Sequence, residues 1–284
     1  MTGAGAPASP AFMTQSPARL RDLAPRYDAI LCDVWGVIRD GDALISPAIE
    51  ALIRFRDEGG QVCLVSNSPR RSASLQNFLK GMGAPDGVWD AAVTSGDATH
   101  ALLSRFAPGP AYKLGPDWDD PIYEGTRLDF APLDEAAFIS NTGLVDFFNE
   151  TPADYEDLLT AARERDLPMV CANPDIVVQG PGGRLLYCAG ALAERYEQLG
   201  GEVHYAGKPH PPIYERAYAA LEALTGEKPV KARILAIGDG VPTDLTGAAR
   251  EGVDCLFISA GINEEGAALP DGLQPRWQAP ALVW

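Results

Sequence analysis

The chain has 284 residues, 46% of them apolar, which suits about two domains and excludes a largely disordered protein. Aspartate and glutamate (39) outnumber lysine and arginine (23), and the resulting net charge of −16 excludes nucleic acid and anionic lipid as the expected partners. No apolar run approaches the roughly 18 residues of a membrane span, so we expect a cytoplasmic protein with no membrane segment.

From Tyr27 onward, short apolar runs alternate with amphipathic stretches, which predicts βα units that form a parallel sheet. Before that point, residues 1–22 are expected to be a disordered tail. The first predicted elements are the strand Ala29–Cys32, a helix from the Ser46 cap and Pro47 to Gly59, the strand Val62–Val65, and a helix from the Ser68 cap and Pro69 to Gly81.

The alternation continues to the end of the chain without an internal repeat. The later predicted strands are Ala92–Thr94, Phe138–Ser140, Met169–Ala172, Val203–Ala206, Ile234–Ile237 and Cys255–Ser259. The later predicted helices begin at Thr151-Pro152, near Ala191, at Pro212 and after Thr243. The segment from Pro270 is predicted to be extended, and its role stays open.

The cysteines and histidines argue against zinc. The cysteines form no CxxC pair, and four of them lie in apolar runs, which indicates buried thiols in a reducing compartment. With only three histidines, a structural zinc site is not expected, whereas a carboxylate site for a hard metal stays open. The five cysteines are Cys32, Cys63, Cys171, Cys188 and Cys255.

Acidic residues follow two of the predicted strands. Asp33 ends the first strand, and Asp239 and Asp244 follow Ile234–Ile237 across a glycine-containing turn. The carboxyl ends of parallel strands are where such sheets bind ligands, and neighbouring carboxylates there repel unless a cation lies between them. Oxygen ligands favour Mg²⁺. The alternative is that these residues only form turns or cap a helix.

Two further polar residues follow strands. Ser66 offers a hydroxyl after the second strand, and Lys208 offers an ammonium after Val203–Ala206; both suit a tetrahedral oxyanion. Taken singly, Ser66 also fits a turn and Lys208 a solvated surface. In chain order, the strand-end Asp, Ser, Lys and Asp resemble the four motifs of the haloacid dehalogenase-like (HAD) hydrolase superfamily.

Class IIA of that superfamily is the more specific resemblance. Three segments carry it: Val65-Ser66-Asn67-Ser68, Cys171-Ala172-Asn173-Pro174-Asp175 and Gly207-Lys208-Pro209. They are similar to the N-acetylglucosamine-phosphate phosphatase and nitrophenyl-phosphatase members, and the likeness covers about residues 27–262. It implies an α/β fold, with a Rossmann-like parallel-sheet core (residues 23–97 and 203–284) and an inserted α/β cap of the C2 type (98–202).

The resemblance also implies a chemistry. Asp33 would attack phosphorus and form an aspartyl phosphate, with Ser66 and Lys208 balancing charge on the transferring oxygens. Mg²⁺ would be held by Asp33, the backbone carbonyl of Trp35 and Asp239, with Asp244 supporting the loop or a metal-bound water. The expected substrate is a small phosphorylated metabolite.

Trp35 departs from the family pattern. Its position usually carries a second Asp that protonates the leaving oxygen and then activates water, whereas an indole cannot exchange a proton at neutral pH. The sequence therefore leaves open a slow or narrow phosphatase, an enzyme that borrows an acid from His210 or Asp40, and a hydrolase of another bond type. A phosphometabolite-binding or regulatory protein without turnover is the main rival.

Substrate selection is expected to lie with the cap and the rim of the core. Asn67 and Arg70 follow the second strand, and Asn173 and Asp175 occupy a turn in the cap, although solvated loops explain these positions nearly as well. A dinucleotide-binding GxGxxG and a P-loop are both absent from the sequence. Whether the chain forms a homodimer stays open.

Overall fold

The computed structural model describes residues 18–180, 183–260, 269–270 and 272–284. In chain order, the strands are β1 (Ala29–Cys32), β2 (Arg39–Asp40), β3 (Ala43–Leu44), β4 (Gln61–Ser66), β5 (Ala91–Thr94), β6 (Ala111–Leu114), β7 (Phe138–Asn141), β8 (Met169–Cys171), β9 (Val177–Gln179), β10 (Leu185–Tyr187), β11 (Val203–Tyr205), β12 (Ile234–Gly238), β13 (Asp254–Ile258) and β14 (Trp277–Ala279). The α-helices are α1 (Leu20–Leu23), α2 (Ser46–Asp57), α3 (Ser72–Gly81), α4 (Ser95–Phe106), α5 (Glu156–Glu164), α6 (Ala189–Gln198), α7 (Pro211–Thr225) and α8 (Thr246–Glu251).

The larger sheet has six strands in the order β14-β13-β12-β1-β4-β5, and all of its pairs are parallel. Every residue of β1 and β12 is buried, as expected of central parallel strands that are covered on both faces. Helices α1, α2 and α3 pack on one face and α7 and α8 on the other, around two separate apolar clusters. The predicted parallel α/β core is therefore confirmed.

A second parallel sheet, in the order β11-β8-β7-β6, forms the cap. Helices α5 and α6 cover one of its faces, with the side chains of Leu159, Leu192 and Tyr196 buried against Ile139 and Met169. Between the two strand-rich regions lies α4, which begins with a capping box formed by Thr94 and Asp97.

Helix α4 belongs to both regions. Its residue Ala98 is buried in a core cluster, whereas Leu103 packs with Phe138 and Val170 of the cap sheet. A boundary at residue 97/98 therefore cuts a helix that joins the core to the cap. The sequence division also assigns Val203–Tyr205 to the core, but this strand hydrogen-bonds to β8 and extends the cap sheet.

One predicted helix cap and one predicted helix start are wrong. Ser46 does not cap α2, because it is the first helical residue and no side chain accepts a cap hydrogen bond there. The next helix begins at Ser72, four residues after Ser68. Ser68 and the residues after it form a loop against the start of α4, where the Gly96 N–H donates to the Ser68 carbonyl oxygen at 3.0 Å.

The chain ends also differ from expectation. Residues 1–17 of the predicted tail lie outside the described residues, but Leu20 and Leu23 are buried in the core, so the tail cannot extend to residue 22. Near the C-terminus, Trp277–Ala279 adds an edge strand to the core sheet. All five cysteines are buried and free, as predicted. Within the described residues, no helix is long and apolar enough to cross a membrane.

Candidate active site

The site lies at the carboxyl end of the core sheet, where β1 and β12 stop side by side. The Asp33 N–H donates to the Ile237 carbonyl oxygen at 2.8 Å, which continues the pairing of the two strands for one more residue. Asp33 is therefore held by the same backbone ladder that fixes the strand before Asp239. This placement follows from strand order alone, and it agrees with the position expected from the sequence.

Lys208 reaches this end of the sheet from the loop after β11 and is 3% exposed. Its Nζ donates to Asp33 Oδ1 at 2.6 Å and to Asp244 Oδ1 at 2.7 Å. Burial alone would lower the pKa of the Lys208 ammonium, but Asp244 and Asp33 raise that pKa well above its ordinary value. The lysine is thus a permanent positive charge beside the Asp33 carboxylate.

Asp239 faces Asp33 across a loop that requires glycine. The backbone of Gly36 has φ +74°, and a Cβ built there would lie 2.0 Å from Asp239 Oδ2. Any larger residue at position 36 would displace the carboxylate. Gly36 therefore allows Asp239 to lie against the loop that carries Asp33.

Asp244 reaches the same point through a π-helical turn, Val241–Leu245, that follows β12. The turn folds the Asp244 side chain back over the strand, so that a Cβ on Gly238 would lie 2.1 Å from Asp244 Cγ. Its Oδ2 accepts the Gly240 N–H at 3.1 Å while Oδ1 accepts the lysine. Asp244 therefore both closes the loop and takes part in the charged cluster.

The three carboxylates can hold a metal. One oxygen from each of Asp33, Asp239 and Asp244 lies within 4.8 Å of the others. Like charges this close repel, and a cation between them removes the repulsion. Burial and Asp244 raise the pKa of Asp33, and Lys208 opposes that rise. An all-oxygen set of three carboxylates fits Mg²⁺.

At the end of β4, Ser66 and Asn67 make different contacts. Ser66 is half-buried, and its Oγ accepts the Ser68 N–H at 3.2 Å. Asn67 is 5% exposed and is hydrogen-bonded to both the backbone of Lys208 and the side chain of Asp175. Asn67 is therefore engaged with protein groups on both sides of the site.

The remaining residues predicted to bind substrate differ in exposure. Asn173 is buried, and its Oδ1 accepts the Asp175 N–H at 3.0 Å, which fixes the turn after β8. Arg70 is exposed on the core side of the crevice. Asp175 thus reaches from the cap toward the core, while Arg70 projects from the core rim.

Trp35 is fixed by a stack of side chains. The Arg39 guanidinium lies 4.2 Å from the centre of the Trp35 ring and 4.8 Å from that of Phe78 on α3. Arg39 is itself anchored through a hydrogen bond from Nη2 to the Gly41 carbonyl oxygen at 2.8 Å. The indole is therefore held in place by cation–π contact and offers no titratable group.

The two residues considered as replacement acids lie in different settings. Asp40 is exposed in the β2–β3 hairpin. His210 precedes α7 and stacks on Tyr205, with ring centres 4.5 Å apart. Burial and the nearby Arg250 lower the pKa of His210, so the imidazole is neutral at pH 7.

Sequence reasoning missed a buried acid in the cap. Asp119 follows β6 and is 5% exposed, and its Oδ1 atom has no hydrogen-bond partner among the residues that the structure describes. Burial raises its pKa to about 6, against the influence of Arg70 and of a hydrogen bond with Thr142. No sequence signal separates Asp119 from its acidic neighbours Asp117 and Asp120.

Comparison with known proteins identifies the class of this fold and site. Two family models match, one described as haloacid dehalogenase-like hydrolase over residues 30–122 and one as HAD-hydrolase-like over residues 205–283, together more than half of the chain. The chain therefore belongs to the HAD-like hydrolase superfamily, and its relatives place it in class IIA.

Three relatives are similar to this chain over most of its length. A crystal structure of a haloacid dehalogenase-like hydrolase from Brucella suis 1330 is 46% identical, with a TM-score of 0.87 over 94% of this chain and 100% of that one. The ribonucleotide monophosphatase NagD of Escherichia coli K12 is 26% identical over 89% of this chain and 96% of its own length. The D-glycerol 3-phosphate phosphatase of Mycobacterium tuberculosis is 22% identical over 86% of this chain and 66% of its own.

A structural neighbour supports the fold alone. The 4-nitrophenylphosphatase of Thermotoga maritima superposes with a TM-score of 0.70 at 19% identity, over 90% of this chain and 95% of that one. Together, the family models, the relatives and this neighbour confirm the predicted family, fold class and hydrolase assignment.

Proposed function

We propose that the protein is a Mg²⁺-dependent phosphatase of a small phosphorylated metabolite, acting through an aspartyl phosphate at Asp33. The observation that carries this proposal is the cluster itself, in which Asp33 lies 2.6 Å from the Lys208 ammonium and within 4.8 Å of Asp239 and Asp244. A carboxylate held beside a lysine and two further carboxylates is suited to attack a metal-neutralised phosphate.

Each residue of the cluster has a role that follows from its charge. A free oxygen of the Asp33 carboxylate bonds to phosphorus as the ester oxygen leaves, and water then cleaves the acyl phosphate to release inorganic phosphate. Lys208 offsets negative charge on the transferring oxygens, and the Ser66 hydroxyl, at the end of the strand β4 that pairs with β1, is assigned as a donor to the same group. Asp33, Asp239 and the backbone carbonyl of Trp35 would hold Mg²⁺, with Asp244 in support, and the ion would supply further positive charge for the phosphoryl oxygens.

Trp35 sets the expected selectivity. Because the indole cannot protonate the leaving oxygen, phosphate esters with acidic leaving groups are expected to react faster than alkyl phosphates. An absent general acid costs roughly 10²- to 10⁴-fold in rate. The protein is thus expected to be slow on simple sugar or glycerol phosphates.

The substrate class is supported by charge and by relatives. A surface with net charge −16 repels phosphorylated polymers, whereas a local lysine and metal site attract one small phosphate group. The names of the relatives refer to ribonucleotide and glycerol phosphate monoesters. Arg70 at the core rim and Asn173 in the cap are proposed to contact the part of the substrate beyond the phosphate.

Trp35 also favours a second candidate, a phosphometabolite-binding protein on the same fold. The stack of Trp35, Arg39 and Phe78 fills the position of the usual acid with groups that cannot transfer protons. Such a protein would bind phosphate esters at the same cluster without turnover. Activity and binding measurements therefore have to be made together.

A Mg²⁺-dependent screen with Asp33→Asn as matched control tests the proposal. Phosphate release is measured from 4-nitrophenyl phosphate, ribonucleoside monophosphates and glycerol 3-phosphate, with and without a chelator. The proposal predicts release that needs both Mg²⁺ and Asp33. Equal release by wild type and variant contradicts the enzyme, and calorimetric binding of the esters without release supports the binding protein.

A further inference from the structure

The backbone of Lys208 is held by a side chain from another strand end. The Lys208 N–H donates to Asn67 Oδ1 at 2.7 Å, and Asn67 Nδ2 donates to the Lys208 carbonyl oxygen at 3.1 Å. One amide group thus bonds both polar backbone atoms of a single residue 141 positions away. Both residues are at least 95% buried, so these bonds are shielded from competing water.

The same amide also contacts the cap. Asn67 Nδ2 donates to Asp175 Oδ1 at 2.8 Å, which links the end of a core strand to the turn after β8. Asn67 Oδ1 accepts the Lys208 N–H, and Nδ2 donates to the Lys208 carbonyl oxygen and to Asp175. A flip of the Asn67 amide would break these hydrogen bonds, so its orientation is fixed. The cap carboxylate and the catalytic lysine are therefore connected through one side chain.

The surrounding backbone is shaped to allow this arrangement. A Cβ built on Gly207 would lie 2.6 Å from Asn67 Oδ1, 2.6 Å from Pro174 Cδ and 2.7 Å from Ser95 Oγ. Gly207 thus lets the cap turn, α4 and Asn67 meet at the residue before Lys208. On the cap side, Gly190 at the start of α6 packs directly against the carbonyl oxygens of Pro174 and Asp175.

We propose that Asn67 and Asp175 are positioning residues that form a latch, through which closure of the cap places the Lys208 ammonium against Asp33. The inference rests on the proposed function of Lys208 and changes the expected role of Asn67 and Asp175 from substrate contact to cap docking. In the latched state, Asn67 orients the Lys208 backbone, and the side chain extends to Asp33 and Asp244. When the cap opens, Asn67 loses the Asp175 bond that fixes its orientation, and the lysine loses its defined position.

A pair of substitutions at Asp175 separates positioning from proton transfer. Asp175→Ala removes the acceptor for Asn67, and kcat is expected to fall about 10-fold with KM changed less than about threefold. Asp175→Asn retains an acceptor oxygen, so its kcat is expected to fall no more than about threefold below that of the wild type. If Asp175→Asn is as impaired as Asp175→Ala, the positioning role is wrong and a protonated carboxyl is indicated. Asp157→Ala, an exposed cap position on α5, is the matched control.

A second experiment does not depend on turnover. Asn67→Asp places a carboxylate against Asp175, and hydrogen exchange of the segment Ala206–Lys208 is expected to become about 10-fold faster. Adding Asp175→Asn to this variant restores a donor–acceptor pair across the cap and is expected to slow exchange again. Circular dichroism verifies that each variant is folded.

The outcomes test the latch and the proposed phosphatase activity separately. Exchange that stays at the wild-type rate in Asn67→Asp, or a double variant no slower than the single one, overturns the latch. If exchange is faster in Asn67→Asp and slower again in the double variant, but no ester releases phosphate, the latch is upheld as a docking device and the proposed function is contradicted.

Discussion

Two parallel sheets meet at their polar ends in this protein, and they use polar residues differently. The core edge concentrates formal charge within a few ångströms; its residues are Asp33, Lys208, Asp239 and Asp244. The cap edge, Asp119, Thr142, Asn173 and Asp175, uses hydrogen bonds, and burial raises the pKa of Asp119 and of Asp175. Charge on one side suits a reacting phosphate, and hydrogen bonding on the other suits docking and selection.

The largest expected effect comes from removing the positive charge of the core edge. Lys208→Met is expected to lower kcat about 10³-fold, because charge on the transferring oxygens is no longer offset. It also leaves two buried carboxylates without their cation, and the free energy of unfolding should fall by about 3 kcal/mol without Mg²⁺. Phosphate release and urea unfolding measure the two effects.

Conservation of charge provides the control for that variant. Lys208→Arg keeps the cation but not the geometry, so it should retain more stability than activity. If Lys208→Met keeps the wild-type kcat, the core edge does not act by charge, and the contrast between the two edges fails.

Placing an acid at position 35 tests whether the missing general acid limits the rate. Trp35→Asp is expected to raise kcat about 10²-fold on alkyl phosphates and much less on 4-nitrophenyl phosphate, whose leaving group needs no proton. The measurement is the ratio of the two rates in each protein. An unchanged ratio would mean that another group already supplies the proton. Trp35→Phe is the matched control, because it keeps a ring for Arg39 without adding an acid.

The smallest effect belongs to the cap edge and depends on pH. Burial raises the pKa of Asp119 to about 6, above its ordinary value, so the folded protein binds the proton more tightly than the unfolded chain. The destabilisation by Asp119 is absent near pH 3, below the ordinary pKa of an aspartate, grows as pH rises, and is complete above about pH 7. Asp119→Asn should therefore stabilise the protein by about 2–3 kcal/mol at pH 8 and hardly at all at pH 3.

Thermal or urea unfolding across this pH range measures the effect, with the exposed Asp157→Asn as control. A stabilisation by Asp119→Asn that is equal at both pH values would show that proton binding is not its cause.

The fold was largely accessible from sequence because its strongest signals are local. The apolar run Ile234–Ile237 and the proline and glycine at the ends of α7 mark elements that the structure reproduces within a residue or two. Short strands carried no such signal. Ala111–Leu114 contains polar residues in the middle, and Trp277–Ala279 is an edge strand next to prolines.

The site was only partly accessible. Strand order brings Asp33 and Asp239 to the same edge, so their proximity could be inferred from the chain pattern. The bonds of Asn67 could not, since they join residues 108 and 141 positions apart and depend on how the cap docks. Asp119 was missed because its burial results from tertiary packing.

The most direct test of the account is chemical trapping at Asp33. Wild-type protein and Asp33→Asn are mixed with Mg²⁺ and 4-nitrophenyl phosphate, quenched in acid, and analysed by peptide mass spectrometry. The account predicts one phosphoryl group on the peptide that contains Asp33 in the wild type and none in the variant. Phosphate release by Asp33→Asn at the wild-type rate, or a phosphoryl group on a different residue, would contradict it.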